Sequence, residues 1–244
     1  MGMPITIEID EPRASAAIDR AFAYFDHVDR KFSTYKSESE IMRINRGDVP
    51  IAEASAEMRE IFRLAEDTKL ETGGYFDIVN RQGIFDPSGI VKGWAIRHAA
   101  RILEQAGFTD FYVEAGGDIQ IHGLKTTDGV RRPWKVGIKD PFDQDKVVKI
   151  AYLGHNEGMA TSGTYIRGQH IYNPKDKAAT IDGVVSLTVI GPDVYEADRF
   201  ATAAFAMGKA GIHFIEKQPG LEGYAIYPDR TATMTTGFER YTKP

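Results

Sequence analysis

The chain has 244 residues, of which 42% are hydrophobic and 27% charged, and it carries a formal net charge of -5 with no cysteine. This length suits one large domain or two small ones and is ample for a hydrophobic core. The acidic balance argues against a nucleic-acid partner, and the lack of cysteine excludes disulfides, thiolate catalysis and cysteine-ligated metals.

The first half of the chain is predicted to be mainly helical. Residues 4–10 alternate between apolar and polar side chains, which is typical of a strand. Helical periodicity then recurs in three segments, residues 13–32, 55–74 and 91–107. Ser55 is a suitable N-cap for the second of these helices, and Gly73-Gly74 is a suitable stop. Residues 75–90 are expected to be irregular because they contain Pro87 and two glycines.

The second half is predicted to be rich in strands. Residues 110–123 contain two apolar runs hinged at Gly116-Gly117, where we expect a bulge or the close approach of a backbone or ligand. Further strands are predicted in segments 133–141, 146–154 and 183–192. They are followed by a helix over 195–208, a short helix near 209–218, and a hairpin over 223–236 that turns at Pro228-Asp229. These elements predict one α+β domain over residues 1–244, a mixed, mostly antiparallel sheet packed with helices.

The sequence contains no GxGxxG, GxxxxGK[ST], HExxH or GxSxG motif, so candidate chemistry rests on scattered polar residues. In DPSGIVKG (86–93), an acid, a tight turn and Lys92 precede a helix. A helix N-terminus carries unsatisfied N–H groups that suit phosphate, and Lys92 would add a positive charge. A turn followed by a solvated lysine explains the same pattern.

Two further segments combine polar residues with helical or loop positions. Small and hydroxyl residues in MATSGTYIRG precede His170, a side chain suited to proton transfer or to a structural hydrogen bond.

Asp198 and Thr202 stand four residues apart, on one face of the predicted helix. Their oxygen atoms suit a hard cation such as Mg²⁺. Taken alone, however, the pair is better explained by an acid favoured by the helix dipole and a threonine bonded to a carbonyl.

Taken together and in order, these segments resemble the FAD:protein FMN transferase family, the ApbE-like flavin transferases. The resemblance covers nearly the whole chain and is carried by MGM, DRKFSTYKSESEIMRIN ending at Asn45, TGGYFDI, DPSGIVKGWAIRHAARIL, EAGGDIQIHG, ATSGTY with HIYNP, and VVSLTVIGPDVYEADRFATAAFAMG. It implies a flavin transferase-like fold with a T-fold-like core. It also implies that FAD is the substrate and that its FMN half is transferred to a Thr or Ser hydroxyl of an acceptor flavoprotein. The product is a phosphoester, and AMP is released in a Mg²⁺-dependent reaction.

The resemblance also assigns site residues. The expected flavin contacts are Met1, Tyr35, Tyr75, Phe76, Asp77, Asp86, Lys92, His170 and Ile171. The expected metal contacts are Asp198, Thr202 and the backbone carbonyl of Gly89. His170 and Asp198 are the expected catalytic residues, with His170 taking the proton from the incoming hydroxyl.

The chain departs from the family pattern in four places. Only residues 79–85 separate Phe-Asp-Ile from the Asp-x-x-Gly turn, which predicts a compact form with a more open flavin site. Asn173 stands where Asp is usual, and Met3 where Thr is usual. Ala201 stands where some members carry an acid, so we expect weak metal binding without nucleotide.

Two alternatives to transfer stay open. Water could replace the acceptor hydroxyl, which would make the protein an FAD pyrophosphatase that yields FMN and AMP, or it could bind FAD without catalysis. Self-modification is not expected, because DGVVSLT (182–188) lacks the hydroxyl and alanine of the family's acceptor motif and alternates as a buried strand. The acceptor is therefore expected to be another protein.

The expected location follows from the absence of hydrophobic targeting segments. No apolar stretch approaches the ~18 residues of a membrane span. The N-terminal MGMPITIEID lacks the basic run and apolar core of a signal peptide. We therefore expect a cytoplasmic protein as the sequence stands, or a periplasmic or membrane-associated one if a leader was removed.

Overall fold

The secondary structure follows the predicted order, with additional short elements. The computed structural model describes residues 2–9, 11–164, 171–176 and 180–243, except for the side chain of Gln144. The α-helices of these ranges are α1 (Ser15–Phe32), α2 (Glu40–Asn45), α3 (Ala56–Glu71), α4 (Ser88–Gln105), α5 (Val194–Ala206) and α6 (Gly211–Ile215). The strands are β1 (Ile5–Ile9), β2 (Phe111–Ala115), β3 (Asp118–His122), β4 (Lys125–Thr127), β5 (Val130–Arg132), β6 (Trp134–Asp140), β7 (Asp143–Leu153), β8 (Gly158–Gly163), β9 (Ser186–Gly191), β10 (Glu222–Ile226) and β11 (Ala232–Met234).

Seven strands form the main sheet, in the order β1-β2-β3-β8-β9-β10-β11, and each neighbouring pair is antiparallel. One face of this sheet is covered by α4 and α5, and α1 packs on α4. Successive side chains along each strand point to opposite faces of the sheet, so the sheet separates a hydrophobic core on the helix side from a second core on its other side. Val113, Ala160 and Val189 belong to the helix side, whereas Ile121 and Met159 belong to the other.

The second face of the sheet is covered by a two-stranded ribbon of β6 and β7. Its buried side chains Trp134, Ile138 and Leu153 share a hydrophobic cluster with Ile121 and Phe238. Strands β4 and β5 form a separate exposed hairpin. The molecule is therefore layered as helices, sheet and ribbon, which is the α+β architecture that the sequence predicts.

Several predicted helix ends are confirmed by their hydrogen bonds. The Ser55 hydroxyl accepts the Met58 N–H at the start of α3. Gly73 and Gly74 follow that helix with φ of 58° and 84°, a left-handed conformation that costs glycine little. Gly107 follows α4 with φ of 90°.

The N-terminus of α5 is held by a polar side chain from the sheet. Asp193 caps the helix by accepting the Glu196 N–H. Gln120 of β3 is buried, and its Oε1 accepts the Val194 N–H at 2.8 Å. Its Nε2 donates to the carbonyls of Ile121 and Asn156, so this buried amide is fully used.

Two local predictions are wrong in detail. Gly116-Gly117 is not a bulge within a strand but the two-residue turn of the β2–β3 hairpin, because Ala115 pairs directly with Asp118. Both glycines have positive φ, as a type I′ turn requires. Helix α4 begins at Ser88, within the segment predicted to be irregular, because the first turn tolerates Pro87 before it.

Candidate functional site

A cavity of about 770 Å³ opens beside the N-terminal part of α4. This volume lies in the range of small-molecule sites, about 300–1,000 Å³. Ten of the predicted site residues line it: Tyr35, Tyr75, Phe76, Asp77, Asp86, Gly89, Lys92, Ile171, Asp198 and Thr202. The other two, Met1 and His170, lie outside the described residues. The fold thus brings together segments that are far apart in the sequence.

A buried charge cluster, formed by Lys92, Asp118 and Asp198, lies at this cavity. The Lys92 ammonium is 2.6 Å from Asp118 Oδ2 and 3.5 Å from Asp198 Oδ1. Asp118 Oδ1 accepts the Thr161 N–H, and Asp198 Oδ2 accepts the Gly93 N–H. With both carboxyls ionised, the cluster has two negative charges and one positive charge. The solvated lysine that the turn pattern also allowed is therefore not what the structure contains.

Burial of Asp198 has an electrostatic consequence. Desolvation in the interior raises the pKa of Asp198 to about 7, and the neighbouring Asp118 carboxylate adds to the rise. The Lys92 ammonium and the Gly93 N–H act in the opposite direction and lower this pKa. The ionised form of this carboxyl would therefore be stabilised by a further positive charge bound beside it.

Gly93 permits the close packing of α4 and α5 that creates this arrangement. A Cβ atom at Gly93 would lie 2.7 Å from the Asp198 Cβ and 2.8 Å from the Val194 carbonyl oxygen. These distances are shorter than any side chain can tolerate, so only glycine fits. The close approach lets the Gly93 N–H reach Asp198, although a regular helix would direct it only to the Gly89 carbonyl.

The predicted metal contacts lie on both sides of this helix contact. A Cβ atom at Gly89 would meet the Phe76 ring at 3.1 Å and the Thr202 methyl at 3.3 Å, so these three residues are immediate neighbours. Thr68 and Thr72 of the α3 region donate their hydroxyls to main-chain carbonyls. Within the described part of the chain, the Thr202 hydroxyl donates to no main-chain carbonyl. This argues against the interpretation of Thr202 as a threonine that only bonds back to its own helix.

The aromatic residues of the cavity differ in exposure. Phe76 is buried, whereas Tyr35 is 98% exposed. Lys175 lies 4.6 Å above the centre of the Tyr75 ring, a cation–π contact. Tyr35 can therefore meet a ligand only at the cavity entrance, while Phe76 forms part of its wall.

The acidic residues beside Phe76 already have partners. Asp77 accepts the Val79 N–H and pairs with Lys69 at 2.9 Å. Asp86 accepts the Ser88 N–H at the start of α4. These bonds fix the backbone on either side of the short connection, which is consistent with a supporting contribution to the cavity wall.

The connection over residues 79–85 is a small hairpin rather than an open loop. Val79 and Phe85 form an antiparallel bridge. Asn45 closes it from α2, because its side chain accepts the Phe85 N–H and donates to the Phe85 carbonyl. The Tyr172 hydroxyl donates to the Val79 carbonyl at 3.1 Å. Residues from two distant segments thus brace this part of the cavity.

Asp118 is the site residue that sequence reasoning missed. The segment EAGGDIQIHG drew attention to its glycines and offered no reason to select the acid that follows them. The available signal was an acidic residue inside an apolar strand, since an acid is rarely buried without a partner. The structure gives Asp118 only 1% exposure.

Comparison with known proteins identifies the family. The profile of the ApbE family matches residues 1–83 and 79–225. The chain belongs to the ApbE family. The two matched segments overlap at residues 79–83, within the short connection described above.

Two curated relatives of this chain are both named FAD:protein FMN transferase. The FAD:protein FMN transferase of Klebsiella pneumoniae strain 342 is 25% identical over 298 residues, covering 98% of this chain and 83% of that protein. The FAD:protein FMN transferase of Rhodobacter capsulatus is 35% identical over 159 residues, covering 62% of this chain and 29% of that protein.

Solved ApbE structures share the fold. The flavin transferase ApbE from Vibrio cholerae superposes with a TM-score of 0.83 at 24% identity, covering 99% of this chain and 96% of that one. The ApbE protein of Thermotoga maritima gives a TM-score of 0.83 at 22% identity, with the same coverage. The predicted α+β fold of flavin transferase type is therefore confirmed. Among the residues that the structure describes, no helix has the length and apolarity needed to cross a membrane.

Proposed function

We propose that this chain is an FAD:protein FMN transferase, in which residues 1–244 form one catalytic domain. Its substrate is FAD, and it moves the FMN half to a Thr or Ser hydroxyl of an acceptor protein. The family and the names of its curated relatives support this activity. The observation that carries the proposal is the lining of one cavity by ten residues chosen from five separate motifs.

The proposed flavin contacts suit the parts of FAD. Phe76 and the exposed ring of Tyr35 offer apolar faces to the isoalloxazine or adenine ring. Lys92 and the N-terminal turn of α4 offer positive potential to the pyrophosphate. Met1, Tyr75, Asp77, Asp86, His170 and Ile171 complete the proposed contacts.

The proposed metal is Mg²⁺, held by Asp198, Thr202 and the Gly89 carbonyl. Two observations fit it: the donors are all oxygen, and with both carboxyls ionised the buried charge cluster has one excess negative charge. Within the described residues, no group of three or more acidic or histidine side chains converges on one point. When bound, Mg²⁺ stabilises negative charge on the pyrophosphate oxygens.

The proposed reaction is an in-line phosphoryl transfer. The acceptor hydroxyl oxygen forms a bond to the FMN-side phosphorus, and the bond from that phosphorus to the AMP oxygen breaks. His170 takes the hydroxyl proton, and AMP leaves with the electron pair of the broken bond. Lys92 stabilises the charge that develops on the phosphate oxygens, and Phe76 limits the access of water.

An FAD incubation with Mg²⁺, with and without an acceptor protein carrying a Thr- or Ser-containing flavinylation motif, tests the proposal. We expect AMP release that depends on the acceptor, together with an acceptor mass increase equal to the FMN moiety. Equal AMP release without acceptor would instead identify an FAD pyrophosphatase. Binding of FAD with no AMP in either reaction would identify a non-catalytic FAD-binding protein.

A further inference from the structure

We propose that Asp118 is a positioning residue that holds the Lys92 ammonium away from Asp198, and so leaves Asp198 able to bind a divalent cation. The inference rests on the metal site of the proposed function. It gives a role to a carboxylate that contributes none of the proposed flavin or metal contacts.

The distances within the buried charge cluster carry the argument. The Lys92 ammonium lies 2.6 Å from Asp118 Oδ2 but 3.5 Å from Asp198 Oδ1. One lysine thus faces two carboxylates and is in closer contact with the one that is not a proposed ligand. Asp198 Oδ1 consequently keeps capacity to accept a second positive charge.

Asp118 is anchored firmly enough to exert this effect. It follows the two-residue turn of the β2–β3 hairpin, and its backbone is paired with Ala115. Its Oδ1 accepts the Thr161 N–H from β8 at 3.0 Å. The carboxylate is therefore fixed from two strands, whereas Lys92 has a flexible four-carbon side chain that follows it.

Without Asp118, the ammonium has only one carboxylate partner in the buried charge cluster. Lys92 would then pair directly with Asp198, and a cation would have to displace it. Residues that orient metal ligands typically change metal affinity by about 10–100-fold when mutated. We expect a loss in this range for Asp118→Asn, in the absence of any substrate.

The test measures binding of Mn²⁺ by electron paramagnetic resonance and of Mg²⁺ by thermal shift, with AMP present and absent. Asp118→Asn should bind Mn²⁺ about 10–100-fold more weakly than the wild type. Lys92→Met should bind at least as tightly as the wild type. The double variant Asp118→Asn/Lys92→Met should regain most of the lost affinity, because the competing ammonium is gone.

Asp110→Asn is the matched control. Asp110 also accepts one backbone N–H, from Leu124, and pairs with one cation, Arg131, but it lies at the opposite end of β2. Its replacement should leave Mn²⁺ affinity unchanged. A general effect of losing a paired carboxylate would appear in both variants.

Any of four results would overturn the inference. Wild-type affinity in Asp118→Asn would remove any role in metal binding. A double variant as weak as Asp118→Asn would indicate that Asp118 contacts the cation itself. Weaker Mn²⁺ binding by Lys92→Met would directly contradict the idea that the Lys92 ammonium competes with the cation for Asp198. This result would hold even if Asp118→Asn failed to fold. If the wild type bound neither ion, the proposed metal site itself would fail, and this inference with it.

Discussion

The Asp198 carboxyl makes the stability of the metal-free protein depend on pH, and Asp198→Asn isolates that effect. Asn keeps an oxygen that can accept the Gly93 N–H but carries no charge. We expect the variant to gain stability relative to the wild type as the pH rises, and to lose stabilisation by Mg²⁺.

The size of the effect follows from the shift in pKa. The carboxyl has an ordinary pKa of 3.8 and a folded-state pKa of about 7. A difference of about 3 pH units is equivalent to about 4 kcal/mol, which is an upper limit for the pH-dependent change. Below about pH 4 both states are protonated; between about pH 4 and 7 only the unfolded state releases its proton, so the wild type loses stability as pH rises.

Urea denaturation of metal-free wild type and Asp198→Asn at about pH 5 and pH 8 measures this difference. The advantage of the variant should be about 2–3 kcal/mol larger at the higher pH. Thr202→Val removes a neutral hydroxyl from the same cavity and should follow the pH dependence of the wild type. Parallel stability curves for the wild type and Asp198→Asn would refute the reasoning, because Asp198 would then ionise in the fold without cost.

Three further substitutions test separate parts of the site. Gly93→Ala should lower the free energy of unfolding by about 1–3 kcal/mol, measured by urea denaturation, because its Cβ would overlap the Asp198 Cβ. Asn45→Ala should weaken FAD binding in a fluorescence titration, because it removes both side-chain bonds to Phe85 and loosens the hairpin over 79–85. His170→Ala should slow FMN transfer by about 10²–10⁴-fold in a single-turnover assay and leave FAD affinity close to that of the wild type.

Each of these expectations has a contrary result. An unchanged urea midpoint for Gly93→Ala would mean that α4 and α5 separate without cost. Wild-type FAD affinity in Asn45→Ala would show that the hairpin over 79–85 does not contribute to binding. Wild-type turnover in His170→Ala would remove its role as the proton acceptor.

Local signals allowed the sequence to predict most of the helices. Ser55 and the glycines after α3 act through bonds and dihedral angles within a few residues, so their effects can be recognised in isolation. The same holds for the hairpin near Pro228, where Tyr227 donates its N–H to the Thr231 carbonyl.

Strand β8 was not predicted because its sequence is determined by a neighbour. Gly158, Ala160 and Ser162 have low strand propensity, yet β8 lies between β3 and β9 in the main sheet. A Cβ atom at Gly158 would lie 2.0 Å from the Val194 nitrogen of α5. Gly158 is therefore required by the close approach of that helix, and a short stretch of sequence around Gly158 does not reveal this constraint.

The buried charge cluster could be predicted only in part. Lys92 and Asp198 were selected because each stands in a recognisable motif of its own. Their contact depends on Gly93 lying against α5, across a separation of 105 residues between Gly93 and Asp198. Asp118 was overlooked because it differs from other acidic residues by its burial, which the sequence does not show, and not by a recognisable motif.

Strand β3 determines where α5 begins and which face of α5 is directed toward the sheet. Asp118 and Gln120 are two residues apart and therefore face the same side of a five-residue strand. Asp118 belongs to the charge cluster that includes Asp198 of α5. Gln120 accepts the first N–H of α5, that of Val194. Inserting one residue into β3 would turn both side chains toward the ribbon and bring Ile119 and Ile121 against α5. The alternation of a single short strand thus specifies both where α5 begins and which of its side chains reaches the cavity.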